Sequence, residues 1–327
     1  MKNLFKKLFV SSLIITLAFQ YHPQEAKAYT ATGFNAYYIS VGKADCILIQ
    51  QGDLYGLIDT GNTTDLAVVE NFLDRKGVTT LEFIIITHLD VDHCGNVTPL
   101  AIEYNAKSIV YRELSSTAQE KLTSGGYLDR YNEILGLSAA KNTNSYAGRS
   151  LKFGDATINF YSRQASFIDD NDPKFNNVGL STRINLDSLI FQIVYKSNKF
   201  FFLGDAGTSA NDYVSNNYSA AILKSDVLKI SHHGMSANNT VGIITSVGAS
   251  IAINSASPDF ATQATTKKRL EAANENVKIY ETWNIPSYMP ADSNTYTGIL
   301  VMSNGTKVTT YGVYNRGATS CNKTKFN

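Results

Sequence analysis

The stretch THLDVDHCGN, Thr87 to Asn96, decides how this chain is read. Four potential metal ligands, His88, Asp90, Asp92 and His93, fall within six residues, directly behind the apolar run LEFIII, Leu81 to Ile86. An apolar run of that length bounded by polar residues reads as a buried strand. A strand end is rigid enough to fix ligand positions, and the loop that follows can turn its side chains toward one point. Imidazole and carboxylate together suit Zn²⁺, Mn²⁺ or Fe²⁺.

The rest of the histidine inventory points the same way. The chain holds five: His22, His88, His93, His232 and His233. Apart from His22, each sits just after a predicted strand, in two close groups. Asp205, in FFLGDAG, also follows an apolar strand and is the candidate for a further oxygen ligand. Asp59, in LIDTG, is another strand-end carboxylate, expected to orient a ligand from behind. His232 and His233 are adjacent, so on a regular strand they point to opposite faces. The expectation is His233 as ligand and His232 as a contact to substrate or leaving group.

Periodicity gives the frame. Asn35 to Gln50 reads as two strands around a glycine-containing turn, and LYGLI as a third. Leu66, Val69, Phe72 and Leu73 recur at helical spacing before a Lys76-Gly77 stop. The region of about 99–177 is weaker in pattern and reads as an insertion or cap: a strand at SIVYREL, a helical stretch from Ser115 to Leu137 broken at Gly125-Gly126, then strand-like LKFGDATINFYS. In the second half SLIFQIVY and KFFFLGD form a predicted hairpin, Ser209 to Leu223 a helix, and DVLKIS a strand that ends at His232. Helix, strand, helix and strand alternate to Trp283, and a hairpin over Asn304-Gly305 follows. Two strand-rich halves with intervening helices predict an α/β fold, an αββα four-layer sandwich.

Composition bounds the class. Residues 1–28 carry a basic start (MKNLFKK), a short apolar core (LFVSSLIITLAF) and a small-x-small site (Ala26 to Ala28), which together read as a secretory signal peptide. The apolar core falls short of the ~20 residues of a membrane span. The expectation is a secreted protein, with 29–327 as one mature domain and no stable membrane insertion after cleavage. The first 28 residues hold four of the 29 basic residues and one of the 28 acids, which leaves 25 basic and 27 acidic, about −2. That balance argues against grip on nucleic acid by phosphate neutralisation alone. Cys46, Cys94 and Cys321 are too few and too scattered for a disulfide framework.

The motifs also resemble a known family. THLDVDHCG is similar to the H-x-H-x-D-H signature of the metallo-β-lactamase fold, with Asp90 in the place of the second histidine. The order LIDTG, THLDVDHCG, FFLGDAG, SHHG follows that family, over roughly Asn35 to Val313. YISVGKADCILI, LKISHHG and TGILVMSNGTKVTTY most resemble the competence-protein branch, the extracellular hydrolase-like domain of the ComEC-type DNA-uptake channel. Two departures stand out. Ala44 sits where that branch has glycine, and no histidine lies between the second motif and the Asp205 motif; Asn176, Asn177 or Ser181 stands near its place.

The resemblance implies two divalent metal ions, Zn or Mn, one of them held weakly. His88 and Asp90 would hold one, and Asp92, His93 and one histidine of the later pair, with His233 the choice made above, would hold the other, with Asp205 bridging. Asp92 and His232 would assist catalysis. The implied activity is a phosphodiesterase or nuclease using a metal-activated hydroxide, with a phosphodiester partner such as extracellular nucleic acid. Its rivals are hydrolysis of another ester (a phosphorylcholine esterase or lactonase) and an inactive binding protein of the same fold.

Overall fold

In the computed structural model, residues 33–284, 296–315 and 321–325 are described. The N-terminal segment read as a signal peptide and most of the loop after Trp283 lie outside them. In chain order the strands are β1 (Phe34–Ile39), β2 (Ile47–Gln51), β3 (Leu54–Ile58), β4 (Phe83–Ile85), β5 (Ser108–Val110), β6 (Ala140–Asn142), β7 (Ser150–Phe153), β8 (Ala156–Phe160), β9 (Phe191–Tyr195), β10 (Asn198–Phe202), β11 (Val227–Lys229), β12 (Ile251–Asn254), β13 (Lys278–Glu281), β14 (Tyr296–Ser303), β15 (Val308–Asn315) and β16 (Cys321–Lys325). They form two sheets, of order β16-β15-β14-β1-β2-β3-β4-β5-β6 and β13-β12-β11-β10-β9-β8-β7.

Strand alternation sorts the apolar residues into layers. On β1, Ala36 and Tyr38 face the second sheet, whereas Tyr37 and Ile39 face outward. On β10, Phe200 and Phe202 face the first sheet, whereas Phe201 and Leu203 face outward. The inter-sheet core is aromatic: Phe202 stacks on Phe191 at 5.0 Å and lies 6.4 Å from Tyr38. Over the outer face of the first sheet pack the helices Leu66–Arg75, Val97–Glu103 and Tyr127–Gly136, through Val69, Phe72, Leu73, Leu100 and Ile134. Over the second sheet pack Thr208–Asn217, Val241–Val247 and Ala264–Ala273, through Ala210, Val214, Ile243, Ile244 and Leu270. The order is therefore helices, sheet, sheet, helices: the αββα sandwich expected from the sequence.

Three details differ from the sequence reading. The helix expected from Ser209 to Leu223 is two, Thr208–Asn217 and Ala220–Leu223, because Tyr218 and Ser219 are extended. The strand in DVLKIS stops at Lys229, and His232–Gly234 is a tight turn rather than strand continuation. The region of about 99–177, read as an inserted cap, supplies β5 and β6 to the edge of the first sheet and β7 and β8 to the edge of the second.

The parallel strands matter most for function. β3 runs parallel to β4, and β10 to β11 and β12. In such sheets, ligands bind beyond the carboxyl ends of the strands. Asp59, His88, Asp205, and His232 with His233 all follow such ends. Truncation of Phe202 to alanine removes the ring on which both sheets pack; the expected loss is about 3–5 kcal/mol of stability, read as a lower denaturant midpoint.

Candidate metal centre

Each side chain of the cluster is set by backbone that the sequence dictates locally. Asp59 leaves β3 in a left-handed conformation, φ 56°. Its carboxylate accepts from the Thr87 amide at 2.8 Å and the Thr87 hydroxyl at 2.7 Å, and holds His93 Nδ1 at 2.8 Å. Asp90 precedes a single helical turn, Val91–Cys94, and its carbonyl accepts from the His93 and Cys94 amides. That turn presses against the chain after Asp59: the Thr60 hydroxyl donates to the His93 carbonyl, and a Cβ at Gly95 would meet the Thr63 backbone nitrogen at 2.6 Å.

The second histidine pair does not follow strand geometry. His232 and His233 both have positive φ, 44° and 48°, with Gly234 at 84°. Left-handed non-glycine residues cost of order 1–3 kcal/mol each and persist only where their surroundings over-determine them. Here the His232 amide donates to the Gly204 carbonyl, Asn254 Nδ2 to the His233 carbonyl, and Thr266 to the Gly234 carbonyl. The turn corrects the expectation that the two rings point to opposite faces. Nε2 of each lies 3.6 Å from Asp205 Oδ2.

Asp205 is the hub. Its Oδ1 is 3.3 Å from His93 Nε2, and its Oδ2 is 4.0 Å from His88 Nε2. Asp92 Oδ2 is 3.5 Å from His233 Nε2, and Asp90 Oδ2 is 3.5 Å from His88 Nε2. All six sequence-predicted metal ligands therefore meet in one cluster, with His232 beside it and Asp59 behind His93. The Asp205 hub joins ligating atoms from both sheets.

The donor set suits a divalent cation. The Nε2 atoms of His88, His93 and His233 and Oδ1 of Asp205 are buried without a hydrogen-bond partner. Asp59 holds the far nitrogen of His93, and the Ser255 carbonyl holds that of His233 at 2.8 Å. For His233, a carbonyl partner requires the proton on Nδ1, which leaves the Nε2 lone pair free to ligate. Among the described residues three groups have the spacing to hold an ion: His88, His93 and Asp205; Asp92, His93 and His233; and, behind the His93 ring, Asp45, Asp59 and His93.

The electrostatics agree. Burial opposes charge on His93, yet the carboxylates of Asp205 and Asp59 hold its pKa well above the usual imidazole range. Burial would raise Asp205, but His93 and His233 hold it well below the usual carboxylate range. Burial likewise pushes Asp92 up, and the neighbouring His233 and His93 rings bring it down.

Three charged residues at this site were not singled out in the sequence. Asp45 packs behind His93, its Oδ2 3.8 Å from His93 Nδ1 and 2.7 Å from Lys229 Nζ. Lys43 donates to Asp92 Oδ2 at 3.2 Å. Lys43 and Asp45 lie inside VGKADC, and Lys229 interrupts the apolar strand VLK; a charge inside such a run was the available signal. Of the three residues near the place of the missing histidine, all exposed, Ser181 lies beside the Tyr127 phenol, which also neighbours Asp90. Asn176 lines a surface cavity with Lys121, Asp170 and Arg183.

Residues 39–234, which enclose all four motifs, match the metallo-beta-lactamase superfamily. The chain belongs to that superfamily. Among solved structures, this metallo-beta-lactamase superfamily chain is similar to YhfI, a metallo-beta-lactamase fold protein from Bacillus subtilis (15% identity, 76% of this chain and 96% of that chain, TM-score 0.47). It is also similar to a diphosphatase of the PhnP family (13% identity, 76% and 94%, TM-score 0.43) and to BJP-1, a subclass B3 metallo-beta-lactamase of Bradyrhizobium japonicum (20% identity, 62% and 78%, TM-score 0.38). No curated protein gives a match.

The Lys229–Asp45 pair, with both side chains at most 2% exposed, should be structural. Lys229→Met leaves the Asp45 charge buried without its partner, and denaturation in the presence of a chelator should show a loss of about 3–5 kcal/mol. Replacing both, as Asp45→Leu with Lys229→Met, should recover most of it.

Proposed function

We propose that this chain is an exported hydrolase of phosphodiester bonds, related to the competence-protein branch of its superfamily. The observation that carries the reading is the convergence of buried, unpartnered Nε2 atoms from His88, His93 and His233 on the Asp205 carboxylate. His88, Asp90 and Asp205 would hold one divalent ion, and Asp92, His93, His233 and Asp205 the other, with Zn²⁺ or Mn²⁺ as the ions. Bound there, such ions lower the pKa of a shared water and neutralise charge that develops on phosphoryl oxygens.

The protein's own groups supply the rest. Asp59 fixes the His93 ring, and the Ser255 carbonyl fixes the His233 ring, so neither needs to reorganise during turnover. His232 is the more open of its pair, its side chain 17% exposed against 0% for His233. That exposure favours His233 as ligand and His232 as the contact to substrate or leaving group. Burial is the main cause that lowers the His232 pKa, which favours the neutral ring. Asp92, with a side chain 15% exposed, is placed to accept a hydrogen bond from an attacking water. The replacement of the family's second histidine by Asp90 adds a harder oxygen donor and moves preference toward Mn²⁺.

The test is direct. Chelator-treated protein should be inert toward bis-p-nitrophenyl phosphate and regain activity with Mn²⁺ or Zn²⁺. Asp205→Asn should lower turnover on the order of a thousandfold, about 4 kcal/mol of barrier. Near-wild-type turnover in Asp205→Asn, or hydrolysis that survives the chelator, would remove the reading.

A further inference from the structure

Exposed hydrophobic residues border the histidine and aspartate cluster. Of the nine large hydrophobic residues exposed among the described residues, three sit on its loops. Val91 lies between Asp90 and Asp92, Met235 two residues after His233, and Phe260 beyond β12 on the loop that supplies the Ser255 carbonyl. Phe260 is 49% exposed and Met235 36%. Single exposed hydrophobic residues are ordinary on protein surfaces. Phe260 differs because the Lys43 ammonium lies 5.4 Å from its ring centroid and 3.2 Å from Asp92 Oδ2. One cationic head therefore joins a ligand carboxylate to an open aromatic face.

We propose that Lys43 and Phe260 form a substrate subsite beside the metal centre, one that accepts a flat, uncharged aromatic substituent of a phosphate ester and rejects a cationic one. The ester's phosphate seat rests on the hydrolase reading above; the choice of substituent rests on Lys43 and Phe260 alone. Lys43, with its side chain 31% exposed, carries a long flexible stem and can donate to a phosphate oxygen while staying close to the Phe260 ring. Phe260 offers its face for stacking, an interaction that tolerates any planar group. A quaternary ammonium is normally held by a cage of aromatic rings. Here the Phe260 ring already faces an ammonium, and a second cation would meet like charge. The pair thus separates two kinds of ester that the bare metal centre does not distinguish.

The experiment compares phenyl phosphate, methyl phosphate and phosphocholine as ligands of the Mn²⁺-loaded chain, by calorimetry or by competition. These monoesters differ only in a planar ring, a methyl group or a quaternary ammonium. Phenyl phosphate should bind about tenfold tighter than methyl phosphate, with phosphocholine no tighter than methyl phosphate. Phe260→Ala should erase the phenyl advantage and Phe260→Tyr should keep it. Lys43→Gln should weaken phenyl phosphate and narrow its lead over phosphocholine. A preference for phosphocholine, equal or undetectable binding of all three, or a phenyl-to-methyl ratio unmoved by Phe260→Ala overturns the subsite. Protein that discriminates these ligands yet fails to cleave bis-p-nitrophenyl phosphate keeps the subsite and refutes the hydrolase. Protein that cleaves without discriminating does the reverse.

Discussion

The burial of the Asp205 carboxylate organises this molecule. At 1% exposure it sits among His88, His93, His232 and His233, and its environment also contains Asp45, Asp59, Asp90 and Asp92. Five carboxylates stand against two ammonium groups, those of Lys43 and Lys229. Charges buried in such excess are costly unless paired, so neutral imidazoles do not balance the site. Without a metal, a proton on His93 offsets part of the excess, which is what its raised pKa expresses. A divalent cation meets the same need with far better geometry. The architecture that stabilises the fold and the architecture that attracts metal are therefore one arrangement of charge.

That arrangement also ties the sheets together. Asp45 lies between β1 and β2 of the first sheet, and Lys229 at the end of β11 in the second. Lys229 pairs in register with Phe202 and Ile253, both of the inter-sheet core, so its ammonium emerges where the apolar layer gives way to the ligands. The backbone accommodates the same seam. Three successive left-handed residues, His232 to Gly234, bring both rings to one carboxylate, and hydrogen bonds from Asn254 and Thr266 hold them there. A straight strand would deliver only one of the two.

This explains what the sequence made legible. The layers could be read because apolar alternation along KFFFLGD or NAYYIS records which face each residue takes. His88, Asp90, Asp92, His93 and Asp205 could be read because ligands at strand ends leave polar residues directly after apolar runs. The His232–His233 geometry could not, since it depends on hydrogen bonds from residues more than twenty positions away. Asp45 and Lys229 stood out only as charges beside or inside apolar runs, and their pairing across 184 positions appears only when the sheets face each other. The region of about 99–177 was weak in pattern because its strands are short and two of them, β6 and β7, are edge strands with one neighbour rather than two.

Exposure within the cluster follows a gradient that gives the site a direction. His93, His233 and Asp59 are dry, and for His93 and His233 the far ring nitrogen is tethered. Asp90, Asp92 and His232 keep 19%, 15% and 17% of their side chains open, and Lys43 31%. The buried groups are held in fixed geometry, while the open ones line the face from which water and substrate must come. A ligand sphere built this way resists distortion at its back and stays adaptable at its front. A change at Phe260, which carries no charge, would therefore leave undisturbed the charge arrangement on which the fold itself relies.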